Sequence, residues 1–397
     1  DLHSFPTRRS SDLHLDVLLT RMCAMQGLST PLSLLLMSAT PDDDVSNKLG
    51  QAHTHNLQLQ NQELYKVSVE RVTIKNVNQV EDAVVTGGVK VLDEMVGDNH
   101  LKPRGHTLIF MSGLKECEKV ARSLSFKLAD RSHFPRDENF TGSREEEKEN
   151  TAVDIDVSAI ATPTAETDAA KSKRPKQPLY YVLRSTVPDK LQKEKDFYKM
   201  LSEEIAAAEK AKKITKQHNL VWIVVLTGRV SPIQQKIAQA PFPEELQRVL
   251  KVIVATNAIE SSVTIEGLTA LVDSGMHKES RYDPDRGVSI LEEKPISESS
   301  RTQRKGRVGR ISCGNVVQLV MEAGNTIKVS HNMPEILSSD PGQTIMQMRK
   351  LSILLEEVNP DLPSPLPEAT LRKTLQDLKN LGLVTDSGLT PKGYNVS

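Results

Sequence analysis

The sequence predicts an α/β protein built on a parallel sheet, and three observations carry that expectation. Short, predominantly apolar runs recur, at Leu220–Leu226, Val249–Ala255 and Leu268–Val272. Such runs suit strands buried on both faces, whereas a half-solvated antiparallel strand would alternate. Helix-prone segments separate the runs, and small polar residues follow them, as in Thr256-Asn257 and Asp273-Ser274-Gly275. No long hairpin series occurs, which argues against an all-β fold. The 397 residues suffice for two to three domains at about 150 residues each and for a sizeable core.

In chain order, His14–Met25 has helical apolar spacing and is broken by Gly27–Pro31. Leu32–Met37 is apolar except at Ser33, a buried strand ending in Ser38-Ala39-Thr40. The acidic turn Asp42-Asp43-Asp44 opens a mixed stretch that runs to about Val80. A helix is expected at Glu81–Val96, a strand at Gly105–Met111 running into Ser112-Gly113, and a helix at Leu114–Ala129. Residues 131–180 are rich in Glu, Lys, Thr, Ala and Asp with few large apolar side chains, the composition of a disordered insertion. Asp189–Lys213 is charged and helix-prone without a wide apolar stripe, and is expected to extend from the surface.

The apolar strands Leu220–Leu226, Val249–Ala255 and Leu268–Val272 follow, with a short helix at Gln234–Ala240. Tyr282–Glu293 has a Pro/Asp/Gly turn and alternation beyond it, a β-hairpin. Val316–Val320 is the last strand. Helices at Gly342–Val358 and Glu368–Leu381, then the turn Leu389-Thr390-Pro391-Lys392-Gly393, suit a small winged-helix module.

Composition excludes some classes. Lys and Arg number 51 against 52 Asp and Glu, a net charge of -1. Total charge therefore says nothing about nucleic acid, and only a local patch could. Cys23, Cys117 and Cys313 cannot build a disulfide scaffold and lack zinc-ligand spacing. A reduced, intracellular compartment is expected, with nucleus and cytoplasm not separable. No apolar run approaches the roughly 20 residues of a membrane helix. His3–Leu13 reads HSFPTRRSSDL, the peptide that a sequencing-library adapter encodes. Residues 1–13 are therefore expected not to belong to the fold, and the natural chain to begin inside a longer reading frame.

The strongest chemical signal is Gln303-Arg304-Lys305-Gly306-Arg307-Val308-Gly309-Arg310. Residues 301–310 hold four Arg, one Lys and no acid. Arg307 and Arg310, three apart, share a face of a helical turn. Two guanidinium forks converging there suit the oxygens of a transferring phosphoryl group. Gln303 is placed to orient an attacking water. Gly306 and Gly309 admit close approach of a phosphate or of another backbone. A solvated basic run or a localisation signal is the plainer alternative.

Thr256 and Asn257, inside Ala255–Gly267, follow an apolar strand, where open α/β sheets bind ligands. Hydroxyls and backbone N–H groups there can hold a sugar–phosphate backbone without reading bases, although a helix N-cap uses the same residues. Ser38-Ala39-Thr40 and Ser112-Gly113 are weak alone. Their order along the chain, each at a strand end, gives them weight.

That order resembles motifs III (SAT), IV (LIFMSG), V (ATNAIESSVTIEG) and VI (QRKGRVGR) of superfamily 2 helicases, in detail the DEAH/RHA group of ATP-dependent RNA helicases. Val272-Asp273-Ser274-Gly275, the run from Lys294 to Arg310, Met333-Pro334-Glu335-Ile336 and the terminal Leu389–Gly393 turn are similar to that group as well. The resemblance implies two RecA-like domains with ATP between them and RNA across their top. It divides the chain into residues 14–69 (end of the first domain), 70–322 (second domain, with the insertion 131–180) and 323–397 (winged helix and start of a helicase-associated region).

By the same resemblance, Arg307 and Arg310 are arginine fingers on the γ-phosphate and Gln303 positions the hydrolytic water. Gly306 and Glu266 line the ATP site, and Ser38, Ala39 and Thr40 couple nucleotide state to domain closure. Ser112, Gly113, Thr256, Asn257 and Thr264 contact RNA, and the hairpin separates strands. ATP and Mg²⁺ are the implied substrate and cofactor. RNA is the implied partner, the insertion could take a protein partner, and no membrane is implied.

The chain departs from the group's pattern. It contains no GxxxxGK[ST] phosphate loop and no DEAH-like Mg²⁺ motif, so the metal ligands are not expected here and the chain alone is expected not to hydrolyse ATP. Glu266 replaces the usual Asp, Ala238 the adenine-stacking Phe, and Ala258-Ile259 reverses the usual order. The alternative is a non-catalytic RNA-binding adaptor that keeps a degenerate helicase half.

Overall fold

The computed structural model describes residues 65–96, 105–129, 178–322, 329 and 332–396, apart from 189, 229, 261–264, 285 and 363. The expected elements between His14 and Thr40, residues 1–13 and the insertion up to 177 lie outside the described residues.

Nine strands and ten helices are described. In order they are β1 (Val67–Ile74), α1 (Val80–Val96), β2 (His106–Phe110), α2 (Leu114–Ala129), β3 (Leu179–Leu183), α3 (Glu194–Lys210) and β4 (His218–Leu226). Next come α4 (Pro232–Gln239), β5 (Val249–Ala255), β6 (Leu268–Asp273), β7 (Met276–Asp283), β8 (Val288–Pro295), α5 (Glu298–Lys305) and β9 (Gly314–Met321). The terminal helices are α6 (Glu335–Ser338), α7 (Pro341–Lys350), α8 (Leu355–Val358), α9 (Glu368–Asn380) and α10 (Pro391–Val396).

Seven strands form one sheet in the order β1-β9-β6-β2-β5-β4-β3, every pairing parallel. The period of two sorts side chains to two cores. From β2, Leu108 and Phe110 face the side covered by α3 and α4, whereas Ile109 and Met111 face the side of α1 and α2. From β5, Val249, Ile253 and Ala255 take the first side and Leu250, Val252 and Val254 the second. A sheet buried on both faces favours apolar residues, and β5 is buried throughout, Lys251 included. This is the expected α/β parallel-sheet fold.

The structure differs from the sequence reading in several places. Helix α3 does not stand away from the surface. Phe197, Leu201, Ile205 and Ala208 form a narrow stripe that is buried, with Phe197 against Trp222 at 5.0 Å between ring centroids. β1 and β3 are edge strands that the pattern did not mark. β1 starts at Val67, so residues 67–69 belong to the sheet of the second domain, and β3 begins just before the expected end of the insertion. The hairpin is longer than Tyr282–Glu293: β7 and β8 pair antiparallel from Met276–Pro295 to Asp283–Val288. The expected helix Gly342–Val358 is two helices, α7 and α8. Between them Ser352 takes φ 58°, a left-handed backbone that no helix continues through.

The C-terminal residues have their own core, including Ile345, Met348, Leu355, Leu362 and Leu378. Here the described strand structure is a single antiparallel bridge, Val384–Leu389.

Candidate functional site

The carboxyl ends of β2, β5 and β6 place the first set of residues. Phe110 is opposite both Ala255 and Asp273 in register. The turns Ser112-Gly113, Thr256-Asn257 and Ser274-Gly275 therefore lie side by side. Their side chains are unequally available. Ser112 and Thr256 are buried and Asn257 is exposed. Thr256 caps no N–H with its side chain, so the helix-cap explanation of this position does not hold here. A Cβ on Gly113 would come within 2.5 Å of Glu116 Oε2 and 2.7 Å of Lys278 Nζ. An ion pair at 2.8 Å joins these two side chains. Burial opposes the Glu116 charge, but Lys278 and its own backbone hydrogen bond hold its pKa below the usual value. Thr264, Ser38, Ala39 and Thr40 lie outside the described residues.

Helix α5 places the second set. Ser297 caps its N-terminus by accepting from Ser300 N–H, and Arg304, Lys305 and Arg307 follow at its C-terminal end, where positive charge opposes the helix dipole. Gln303 lies on this helix, half-buried, while Arg307 is half-buried and Arg310 exposed just beyond it. Arg310 Nε donates to the Gly306 carbonyl at 3.1 Å, and an Arg307 amine donates to the Glu260 carbonyl. Burial, and then the neighbouring charge of Arg310, lower the pKa of Arg307, with Glu260 opposing them. Two guanidiniums that repel each other on one half-exposed turn form a site that an anion relieves.

The glycines of this segment have separate reasons. Gly306 is the C-cap residue of α5. Gly309 has φ +84°, and a Cβ there would meet Val67 Cγ2 at 2.5 Å, so it serves the approach of β1.

The structure separates Glu266 from the turn expected to contact RNA. Glu266 precedes β6, its N–H donating to Gln239 O at 3.3 Å, and so lies at the amino ends of the strands. Thr256 and Asn257 lie at the opposite ends. Ala238 is fully buried in the core, not open to a base. Among the described residues no three His, Cys, Asp or Glu gather as a metal cluster, and none is assigned to Mg²⁺.

Arg304, Glu260 and Asp273 form a buried cluster that the sequence reading did not single out. Arg304 is completely buried between two carboxylates, with Nε on Glu260 at 2.9 Å and an amine on Asp273 at 2.8 Å. Its guanidinium lies 4.6 Å from the centroid of the Phe110 ring. Burial would lower its pKa, but Asp273 and Glu260 outweigh burial and hold it above the ordinary value. A guanidinium this deep needs paired charges, so Arg304 ties the ends of β5 and β6 to α5. The signal in the sequence was an arginine inside the basic run and two isolated acids, each just past a strand.

The sheet and its strand-end turns form an α/β domain of the RecA-like type. Residues 184–312 match the family described as helicase conserved C-terminal domain. The chain is 35% identical over 180 residues to the pre-mRNA-splicing factor ATP-dependent RNA helicase prp22 of Schizosaccharomyces pombe, covering 45% of this chain and 15% of that protein. It is 32% identical over 173 residues to human DHX57, covering 42% and 12%. The chain thus spans less than a sixth of these relatives' length. Crystal structures of the Escherichia coli DEAH/RHA helicase HrpB share the fold, with a TM-score of 0.59 and 21% identity over 96% of this chain and 36% of that one. In fold, in the matched region and in these relatives, the chain is similar to DEAH/RHA-type helicases of superfamily 2.

Proposed function

We propose that this chain supplies the second RecA-like half of an ATP-dependent RNA helicase, which uses ATP hydrolysis to translocate on and unwind RNA. The observation that carries the reading is the Arg307–Arg310 pair, mutually repelling, with Arg307 held on the carbonyl of Glu260, the residue that ends the Thr256–Asn257 turn. The pair would neutralise charge developing on the γ-phosphate, and Gln303 would orient the water. Ser112, Gly113, Thr256, Asn257 and Thr264 would hold the RNA backbone, and Glu266 the nucleotide. Ser38-Ala39-Thr40 would couple nucleotide state to closure of residues 14–69 on 70–322. Residues 323–397 would add a winged helix. When bound, Mg²⁺ would supply charge neutralisation at the phosphates.

The test uses the 397-residue chain. It should bind fluorescein-labelled oligouridylate, read by anisotropy, and tripolyphosphate, read by calorimetry. Arg307→Ala with Arg310→Ala should weaken tripolyphosphate about ten-fold. With no phosphate loop in the sequence, the chain alone should turn over no ATP. Arg310-dependent turnover by the purified chain, or tripolyphosphate binding indifferent to both arginines, overturns the reading. RNA binding without tripolyphosphate binding selects the adaptor.

A further inference from the structure

One strongly charged surface lies apart from the strand-end turns and from the arginine segment. Residues 210–216 read Lys-Ala-Lys-Lys-Ile-Thr-Lys, four lysines in seven positions with no acid. All four lysines are exposed. The acid nearest in the chain, Glu209, is held by Arg248 at 2.6 Å. Exposed Glu244 and Glu245, on the short turn that packs on α3, border the patch. A helix dipole accounts for a lysine at the end of α3, but it falls off within the last turn and does not reach Lys216.

The backbone holds these charges in place. Lys213 N–H donates to the Ala208 carbonyl at 2.9 Å and Lys212 N–H to the Glu209 carbonyl at 3.0 Å, which closes α3 with a left-handed cap. Lys212 takes φ 53° there, where glycine is the ordinary residue. What a lysine adds at that position is a charge. Ile214 is buried in the core that holds Ile205 and Ala208, so it pins the turn. Beyond it, Thr215 Oγ1 lies 2.9 Å from His218 Nδ1 and accepts from Gln217 N–H at 3.3 Å. Four ammonium groups thus rise on their stems from a fixed turn.

Location and chemistry choose the ligand. The turn leads into β4, which starts at His218 and ends at Leu226, level with Ala255 and so next to Thr256. At about 3.3 Å per residue, the lysines lie on the order of 25 Å from the Thr256–Asn257 turn. Between 210 and 217 no large apolar side chain is exposed. The turn therefore offers nothing to form the core of a protein interface or to enter a membrane. Lysines are point charges and suit an evenly charged phosphate backbone, held without reading bases. A strand already bound at the strand-end turns presents its further phosphates here at high effective concentration. We propose that the lysine turn 210–216 is a second RNA-backbone site, at the amino ends of the strands, for the strand that runs on from Thr256–Asn257. The inference rests on the proposed function, which supplies the first RNA contact.

The test uses the 397-residue chain and two fluorescein-labelled strands, read by anisotropy over a range of salt. Pentauridylate is too short to fill the strand-end turns and reach the lysines as well, whereas an oligouridylate of about 20 nucleotides can do both. When Lys210→Gln, Lys212→Gly and Lys216→Gln are combined, the long strand should bind about ten-fold more weakly. Its slope of log affinity against log salt should fall by about 2, at roughly 0.7 per phosphate contact on a single strand. Pentauridylate should change by less than about two-fold, a pattern that a loss of fold would not give. Lys210→Gln with Lys216→Gln leaves the left-handed residue alone and should give about two thirds of the slope change. It carries the test if the triple variant does not fold. A long-strand slope indifferent to the lysines, or an equal loss for pentauridylate, overturns the inference and leaves the proposed function standing. So does a polyglutamate peptide whose binding needs the lysines while RNA binding does not, which assigns the patch to an acidic partner. A parent chain that binds neither strand overturns both.

Discussion

Lys251 shows how one side chain can be set by its surroundings rather than by its neighbours in sequence. It sits in β5 with no exposed surface, and its ammonium donates to the carbonyls of Ile237 at 2.8 Å and of Ala240 at 2.5 Å. It lies 4.3 Å from the centre of the Phe242 ring. It therefore closes the C-terminal end of α4, where carbonyls lack intrahelical partners. Burial pushes its pKa down to about 7 from 10.5. Between those values the unfolded chain holds a proton that the folded chain has released, so folded stability rises as pH increases from about 7. Lys251→Met should cost about 1–3 kcal/mol near pH 7 by leaving carbonyls unpaired. Urea unfolding between pH 7 and 9 should show a stability gain in the parent, relative to the variant, on the order of 1 kcal/mol per pH unit. A difference between the two that does not grow with pH would remove the assigned cause.

At the scale of elements, α3 divides what the sequence reveals from what it conceals. Its helical character was plain, but its apolar stripe is one residue wide per turn and is diluted by Lys and Glu. Only the fold shows Trp222 and Phe197 meeting. Leu201→Ala should lower stability by about 2–5 kcal/mol in a denaturant titration, while Met200→Ala, on the outer side, should stay within about 0.5 kcal/mol. Equal effects would mean that the helix is not anchored by that stripe.

Central strands β2, β4, β5 and β6 were legible because burial on both faces favours predominantly apolar runs. Edge strands make weaker demands. β1, Val-Ser-Val-Glu-Arg-Val-Thr-Ile, is exposed or half-buried at every position except Ile74, and its partner β9 lies more than 200 residues away. The same limit applied to the site. Gln303, Arg307, Arg310, Thr256 and Asn257 share local spacing. Arg304 meets Glu260 and Asp273 across 44 and 31 residues, and nothing local announces that meeting.

For the whole molecule, the sheet domain and the C-terminal helices have separate cores. The C-terminal core has its own polar lock, in which the Asn359 side chain accepts from Leu366 N–H at 2.8 Å and donates to the Leu366 carbonyl at 3.0 Å. Links to the hairpin include Lys373, which donates to the Pro284 carbonyl, and α6 beside β7. Such modest contact lets two cores unfold as separate cooperative units. Urea unfolding should show two transitions, one shifted by Ile345→Ala and the other by Leu124→Ala. A single transition moved by both would mean that the units are obligately joined.

The hairpin leaves the sheet and returns to it at one place. Gly275 turns the chain out with φ +69°, and the Ile296 N–H donates back to the Gly275 carbonyl at 2.9 Å. Everything between is therefore a branch whose length the sheet does not sense. Such a branch can lengthen, shorten or change its tip chemistry over evolutionary time without altering the register of β6 and β9. The hairpin can thus be re-shaped while the sheet that carries it is kept.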